Sequence, residues 1–243
     1  MTGAERFRRA RRDPALAVLE GFHALKHALR FGAEVVAVAA IDPARLRDLA
    51  ERLAPDLVER LPAAITEVVG PEELARRAPR VPATGVVAIA RRPDADLVAA
   101  LRSPAASPVV ALVEPRHAGN LGAAVRVAAA AGAAGLIAVG GRDPWEPAAL
   151  RGGAGLQFAL PVSRVDEMPA TDRPLVALDP RGELLKPGVL PPRALLAFGT
   201  ERHGLGPGVL SRADLRVAIP MREGVSSLNL ATAVAVTLYA GEW

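Results

Sequence analysis

The second half of the chain alternates short, largely apolar segments with segments of helical character. The apolar segments are predicted strands at residues 109–114, 135–141, 175–180, 194–199 and 215–221. Strands that are apolar on both faces are typical of a parallel sheet covered by helices on its two sides. The pattern therefore predicts an α/β fold with a central parallel sheet. Such sheets bind ligands beyond the carboxyl ends of their strands.

The first half of the chain carries a smaller alternation of the same kind. Its predicted elements are a helix at 15–31, strands at 34–41, 63–69 and 84–90, and helices at 42–55 and 70–78. A segment with three prolines, residues 91–108, follows this module and has no strong period. We accordingly predict one domain over residues 1–100 and a second over residues 106–243.

Composition excludes several classes of site. The chain has 243 residues and no cysteine, so disulfides, thiolate metal sites and cysteine nucleophiles are ruled out. His23 and His27 lie four residues apart, but no third ligand accompanies them, and we predict no metal. No uncharged run reaches the roughly 20 residues that a membrane helix needs. We expect a cytoplasmic protein without a membrane segment.

The basic residues of the chain either suit the binding of phosphate or reflect a genomic composition in which alanine, glycine, proline and arginine are all abundant. The formal net charge is +4, and Lys26 and Lys186 are the only lysines among 30 basic residues. Arginine binds phosphate well because its planar fork contacts two oxygens at once. The clearest cluster, "RFRRARR" at residues 6–12, is followed by Asp13 and Pro14, so it is not a targeting signal. It is either a frayed, solvated terminus or an arm that contacts an RNA backbone.

Three loops at the ends of predicted strands carry the polar residues of interest. In the first, residues 113–133, Asn120 can cap a helix and Gly122 allows close backbone approach. Arg126 follows within a run of alanine, valine and glycine. An arginine there is costly unless it faces a cleft or an acidic partner, and the alternative is a side chain that extends from a half-exposed helix to solvent.

The second loop, residues 195–214, is rich in glycine. Gly199 ends a predicted strand, and a flat ligand could pack on its backbone; the alternative is a tight connection. The glycine spacing does not fit a dinucleotide fingerprint, and no phosphate-binding P-loop motif occurs.

The third loop lies within residues 217–235 and leads into a predicted C-terminal helix at 224–243. Ile219, Met221 and Leu228 offer apolar surface on either side of a turn. Ser227 and Asn229 are expected at the helix start, where free N–H groups and the helix dipole favour an anion. A simple N-cap accounts for one of these polar residues but not for both.

In these three loops the chain resembles the SpoU/TrmH branch of the SPOUT RNA methyltransferases. The motif Asn-x-Gly-x-x-x-Arg is matched by Asn120, Gly122 and Arg126. The other two motifs are matched by Gly199, Thr200, Glu201, Gly204 and Leu205, and by Ile219, Met221, Ser227, Leu228 and Asn229. The resemblance covers roughly residues 109–243. The first half resembles, less closely, the L30e-like substrate-binding domain found in many members.

The resemblance implies an S-adenosylmethionine-dependent enzyme that methylates a ribose 2′-hydroxyl of rRNA or tRNA. It also implies a trefoil knot in the C-terminal domain and a homodimer formed through that domain. The implied catalytic residues are Asn120, Arg126, Glu201, Ser227 and Asn229. The implied cofactor contacts are Leu178, Gly199, Thr200, Glu201, Gly204, Ile219, Met221, Ser227 and Leu228.

The resemblance also bears on RNA binding. The N-terminal domain favours rRNA over tRNA by analogy. The expected RNA contacts are Arg8, Arg9, Arg11, Arg12 and Arg151. Gly153 stands where the family often has serine, which puts a hydroxyl role there in doubt. The alternatives are a non-catalytic RNA-binding relative, disfavoured because every motif position is filled, and a nucleotide-dependent α/β enzyme such as one using NAD, disfavoured because the glycine fingerprint is missing.

Overall fold

The computed structural model describes residues 2–94, 96–200, 203–241 and 243. The chain forms two compact units. The first comprises the residues up to Asp94 together with Trp145–Ala159, and the second comprises the remainder. The segment Trp145–Ala159 thus packs with the first unit, although it lies within the range 106–243 predicted for the second domain.

The first unit contains a four-stranded mixed sheet. The strand order is β1 (Leu16–Glu20), β4 (Val86–Arg91), β2 (Val35–Ala40) and β3 (Glu67–Val68). Strand β4 is antiparallel to both β1 and β2, whereas β3 is parallel to β2. The helices are α1 (Gly3–Ala10), α2 (Phe22–Arg30), α3 (Pro43–Leu53), α4 (Arg60–Ala63), α5 (Pro71–Arg77) and α8 (Pro147–Gly152), with 3₁₀ turns at Pro55–Leu57 and Leu156–Phe158.

One expectation for the first unit was wrong, and one of the two alternatives for the N-terminus is excluded. The helix predicted over 15–31 is a strand, Leu16–Glu20, followed after Gly21 by helix Phe22–Arg30. The strand forms because its backbone pairs with β4, and Gly21 adopts a φ of +102° at the turn. The N-terminus is not frayed, since residues 3–10 form helix α1 with a capping box between Thr2 and Glu5.

The second unit is built on a six-stranded sheet that is parallel throughout, as the sequence predicted. The strand order is β10 (Leu215–Ala218), β8 (Leu175–Leu184), β9 (Leu195–Phe198), β5 (Val109–Val113), β6 (Gly135–Val139) and β7 (Val162–Val165). The helices are α6 (Leu97–Arg102), α7 (Ala118–Ala130), α9 (Pro207–Leu210) and α10 (Leu230–Ala240). Val110, Leu136 and Leu196 are completely buried in the central strands, which explains why these segments lack polar residues.

Strand β8 is interrupted at its middle. Its pairing with β10 jumps from Ala177↔Arg216 to Glu183↔Val217, so residues 178–182 bulge out of the ladder. Pro180 lies in this bulge and has no N–H to donate. Gly182 is required there, because a Cβ would overlap the backbone of Arg216. Residues 178–181 therefore do not pair with β10.

Helix α10 begins later than predicted. The sequence analysis placed a helix over residues 224–243, but the helix starts at Leu230 and residues 219–229 form an irregular loop. Asn229 caps the helix, since its Oδ1 accepts hydrogen bonds from the N–H groups of Ala231 and Thr232. Gly224 has a φ of +83°, a conformation that a helix does not allow.

Two features are absent from the part of the chain that the structure describes. None of its helices combines the length and apolar character that crossing a membrane would take. No group of three or more histidine, aspartate or glutamate residues is placed to hold a metal ion.

Candidate active site

A cavity of about 450 Å³ lies in the second unit, beyond the carboxyl ends of β9 and β10 and beside the bulge of β8. Its volume is in the range of small-molecule sites. The lining residues are Leu178, Asp179, Pro180, Arg181, Phe198, Gly199, Thr200, His203, Gly204, Leu205, Leu210, Val217, Ile219, Met221, Ser226, Ser227, Leu228, Leu230 and Ala233. Its position is the one expected for a ligand site of a parallel sheet.

Nearly all of the expected cofactor contacts lie around this cavity. Those that line it are Leu178, Gly199, Thr200, Gly204, Ile219, Met221, Ser227 and Leu228. Glu201, expected both as a cofactor contact and as a catalytic residue, lies outside the described residues. Loops that are distant in sequence therefore line one cavity in the fold.

The loop after β9 folds back tightly on itself. The N–H of Gly204 donates a 2.9 Å hydrogen bond to the carbonyl of Thr200, and the N–H of His203 donates to Thr200 Oγ1 at 3.2 Å. A Cβ at Gly199 would overlap the backbone of Gly204 and Leu205. Gly199 is therefore required by close backbone approach, which places this backbone directly at the cavity.

The loop before α10 presents Ser226 and Ser227 as exposed side chains and Leu228 as a half-buried one. The expectation that Ser227 lies at the helix start was wrong, because α10 begins three residues later. The N–H groups of Ala231 and Thr232 in the first turn of α10 are occupied by the cap at Asn229, so these two are not available for an anion. Ser227 contributes a hydroxyl to the cavity wall instead.

Asn120 and Asn229 meet. The Nδ2 of Asn229 donates a 3.0 Å hydrogen bond to Oδ1 of Asn120. The sequence suggested Asn120 as the cap of α7, but His117 occupies the cap position and Asn120 lies in the first turn of the helix. The first and third loops are thus joined directly next to Leu228, which lines the cavity.

Arg126 is exposed on α7, about 9 Å along the helix axis from Asn120. It does not line the cavity, and no hydrogen bond or ion pair joins it to another residue that the structure describes. Of the two alternatives for this arginine, the structure shows a side chain that extends to solvent. Its guanidinium is free to bind an incoming anionic group.

The sequence analysis missed the charged residues of the cavity wall. Asp179 has a side chain only 6% exposed, and it lies beside Arg181 in the β8 bulge. The N–H of Arg181 donates a hydrogen bond to Asp179 and, with the guanidinium groups of Arg181 and Arg216, holds the pKa of the Asp179 carboxyl below its ordinary value. The sequence signal is the pair of charged residues, Asp179 and Arg181, that follows the apolar run in "LVALDPRG" at the end of the predicted strand.

The arginines expected to bind RNA are all in the first unit, and they fall into two groups. Arg8, Arg9 and Arg12 are exposed. Arg11 donates hydrogen bonds to Glu20 at 3.1 Å and to the carbonyl of Arg77 at 2.7 Å. Arg151 forms an ion pair with the other oxygen of Glu20, whose side chain is 2% exposed. Arg11 and Arg151 therefore neutralise a buried carboxylate, which leaves them less available to RNA than the exposed group.

The sequence model of the SpoU rRNA Methylase family matches residues 107–239, which is more than half of the chain. The chain belongs to the SpoU rRNA methylase family. It is thus an RNA methyltransferase. A relative that supports this assignment over nearly the whole chain is an uncharacterised tRNA/rRNA methyltransferase of Synechocystis sp., 31% identical over 95% of this chain and 85% of the relative.

Two further comparisons agree with membership of the SpoU family. The 23S rRNA (uridine(2479)-2′-O)-methyltransferase of Streptomyces viridochromogenes is 34% identical over 51% of this chain and 48% of its own length. A crystal structure of an RNA 2′-O ribose methyltransferase superposes with a TM-score of 0.73 at 27% identity, covering 99% of this chain and 96% of the other. The parallel-sheet α/β fold is therefore one that this family uses.

Proposed function

We propose that this SpoU-family enzyme transfers a methyl group from S-adenosylmethionine to a ribose 2′-hydroxyl of RNA, with rRNA as the substrate in preference to tRNA. The observation that carries the proposal is the convergence of the three family motifs. Two of them supply loops that line one cavity, and the hydrogen bond between Asn120 and Asn229 fastens the first motif to the third.

The residues of the cavity suit this cofactor. Ile219, Met221 and Leu228 offer apolar surface to an adenine ring, and Gly199 lines the cavity with them. Asp179 and Arg181 supply charges of both signs. S-adenosylmethionine, when bound, supplies an electrophilic methyl group on its sulfonium centre.

We assign Arg126 to the RNA and to the developing negative charge on the attacking oxygen. A guanidinium group carries five N–H donors and no acceptor, so the proton of the ribose hydroxyl leaves to solvent and not to Arg126. It can bind the adjacent phosphate and stabilise an alkoxide. Asn229 holds Asn120, which lies in the same helix as Arg126. The exposed hydroxyl of Ser227 donates to a phosphate or ribose oxygen. Glu201 joins this set on the family resemblance.

The finer features of the architecture belong to the same proposal. Residues 106–243, apart from the segment Trp145–Ala159 of the first unit, form the methyltransferase domain with a C-terminal trefoil knot, and residues 1–100 form an L30e-like domain that binds RNA. The exposed Arg8, Arg9 and Arg12 of the first unit support RNA binding because they present positive charge at the surface. The enzyme is assigned to the cytoplasm.

A homodimer formed through α10 completes the proposal. Thr232, Val236 and Tyr239 are exposed at helical spacing along one side of α10, and Tyr239 is 68% exposed. A stripe of this kind on a helix with small neighbouring side chains supports close packing against a second copy.

The choice of rRNA rests on the Streptomyces relative, which is named for a 23S rRNA 2′-O-methylation. The test is transfer of radiolabelled methyl from S-adenosylmethionine to unmodified rRNA and to tRNA, followed by digestion and identification of the methylated nucleoside. We expect label in a 2′-O-methylnucleoside of rRNA. Label in a base, or in tRNA alone, contradicts the corresponding part of the proposal. Binding of RNA without any transfer favours the non-catalytic alternative.

A further inference from the structure

The bulge of β8 places one carboxylate in the wall of the cavity. Asp179 is the only acidic residue among the cavity-lining residues that the structure describes. Its side chain is almost completely removed from solvent. An ionised carboxylate in such a position is costly unless a cationic or hydrogen-bonding group compensates it.

The partners of Asp179 are unevenly shared between its two oxygens. Oδ1 accepts hydrogen bonds from the N–H of Arg181 at 3.0 Å and from Nε of Arg181 at 3.3 Å. Oδ2 has one contact at 3.3 Å from Arg181 Nη2, and Arg216 Nη1 lies 3.9 Å away, beyond hydrogen-bond distance. Each carboxylate oxygen can accept about two hydrogen bonds. Oδ2 therefore retains capacity for a ligand donor.

Arg181 supplies the opposite charge from the same bulge. It also lines the cavity, and its side chain is 76% exposed, so its guanidinium can turn from Asp179 to a ligand without loss of packing. A negative and a positive group two residues apart match an α-amino acid, whose ammonium and carboxylate are attached to one carbon. A nucleoside alone would not need both charges.

We propose that Asp179 binds the α-ammonium group, and Arg181 the α-carboxylate, of the methionine end of S-adenosylmethionine. The assignment rests on the proposed function for the identity of the cofactor. It adds two specificity-determining residues to that function. The β8 bulge then serves to present both side chains to the cofactor. Both pairs are charge-assisted hydrogen bonds, which are stronger than neutral ones.

The test is calorimetric titration with two ligands. S-adenosylhomocysteine carries the amino-acid end, and 5′-methylthioadenosine lacks it while keeping the nucleoside and the sulfur. We expect Asp179→Asn to weaken S-adenosylhomocysteine by about 10- to 100-fold, the usual cost of losing a charged hydrogen bond. Binding of 5′-methylthioadenosine should stay unchanged, which also shows that the variant is folded.

Two more variants sharpen the test. Arg181→Gln changes an exposed side chain, does not threaten folding, and should weaken S-adenosylhomocysteine selectively. Glu183→Gln removes the same charge from the same strand outside the cavity lining, and it should bind both ligands like the wild type.

Each other result overturns the assignment. Equal loss of both ligands in Asp179→Asn would mean that the carboxylate recognises the nucleoside, for example its ribose hydroxyls. Unchanged binding of both would mean that it only supports the bulge. A wild-type chain that binds neither ligand contradicts the proposed function itself, and the assignment fails with it. If the wild type binds both ligands, and Asp179→Asn and Arg181→Gln bind them as tightly as the wild type does, the assignment alone is contradicted.

Discussion

Asn229 and Asn120 are hydrogen-bonded side chain to side chain at 3.0 Å, although 109 residues separate them in sequence. Asn229 has two tasks, because its Oδ1 caps α10 while its Nδ2 reaches the first turn of α7. The starts of two helices are held together by one amide. This link fixes the loop before α10 on one side of the cavity.

We expect Asn229→Ala to lower the free energy of unfolding by about 1–2 kcal/mol, because the helix loses its cap. Asn229→Ser should recover most of this loss, since serine also caps, but its shorter side chain should not restore the link to Asn120. A double-mutant cycle of Asn120→Ala and Asn229→Ser in urea unfolding isolates the link from the other contacts of Asn120. Asn120→Ala should lower the free energy of unfolding by about 1 kcal/mol more in the wild-type background than in the Asn229→Ser background. This difference is the coupling energy of the pair. Equal effects in both backgrounds would show that the hydrogen bond contributes nothing.

Arg126→Ala should leave S-adenosylhomocysteine binding intact, because Arg126 does not line the cavity. It should lower methyl transfer by about a hundredfold or more, the usual cost of removing a group that stabilises developing negative charge. Arg126→Lys keeps the charge but not the planar fork, so its methyl-transfer rate should lie between those of the wild type and Arg126→Ala. Arg212→Ala, an exposed arginine elsewhere in the second unit, serves as the control. Wild-type turnover by Arg126→Ala would remove this residue from the mechanism.

Gly199→Ala should abolish cofactor binding, because the added methyl group overlaps the backbone of Gly204 and Leu205 and forces the loop to move. The matched control is Gly208→Ala in α9, where a Cβ has no neighbour within 4 Å. We expect the control to bind like the wild type and to be slightly more stable, since alanine favours helix. The measurement is the Kd for S-adenosylhomocysteine of both variants. Normal binding by Gly199→Ala would mean that the loop adapts freely.

The buried Arg173 is expected to contribute to stability and not to methyl transfer. It is 3% exposed, and its guanidinium donates to the carbonyls of five residues. The acceptors are Ala100, Leu101, Ser103, Ser107 and Arg193. Desolvation lowers its pKa from the ordinary value, but an arginine stays charged.

Arg173→Met should therefore lower the free energy of unfolding by about 3 kcal/mol or more, because several buried carbonyls lose their donor. Arg102→Met, at an exposed position in α6, should have little effect. Urea unfolding of both variants measures the difference. A loss for Arg173→Met no larger than that of the control would mean that water replaces the guanidinium.

Several elements could be predicted from local pattern alone. Central strands of a covered parallel sheet are apolar on both faces, so β5, β6, β8 and β9 were visible in the sequence, and the apolar end of the edge strand β10 made it visible as well. The short edge strand β7 was not, because "VSRV" alternates polar and apolar residues over only four positions. Residues 15–31 were misassigned because apolar residues at helical spacing fit a strand followed by a helix equally well. Only the partner strand β4 decides between them.

For this protein, the sequence by itself determined the α/β class, the parallel sheet of the second unit and the three motif loops. These depend on local rules: which segments are buried, and which short motifs share a chemistry. The tertiary structure alone decided that Asn120 meets Asn229, that Arg11 and Arg151 share the buried Glu20, and that Asp179 lies in the cavity wall. Each of these depends on strand order and register, which bring distant segments together and which no local pattern encodes.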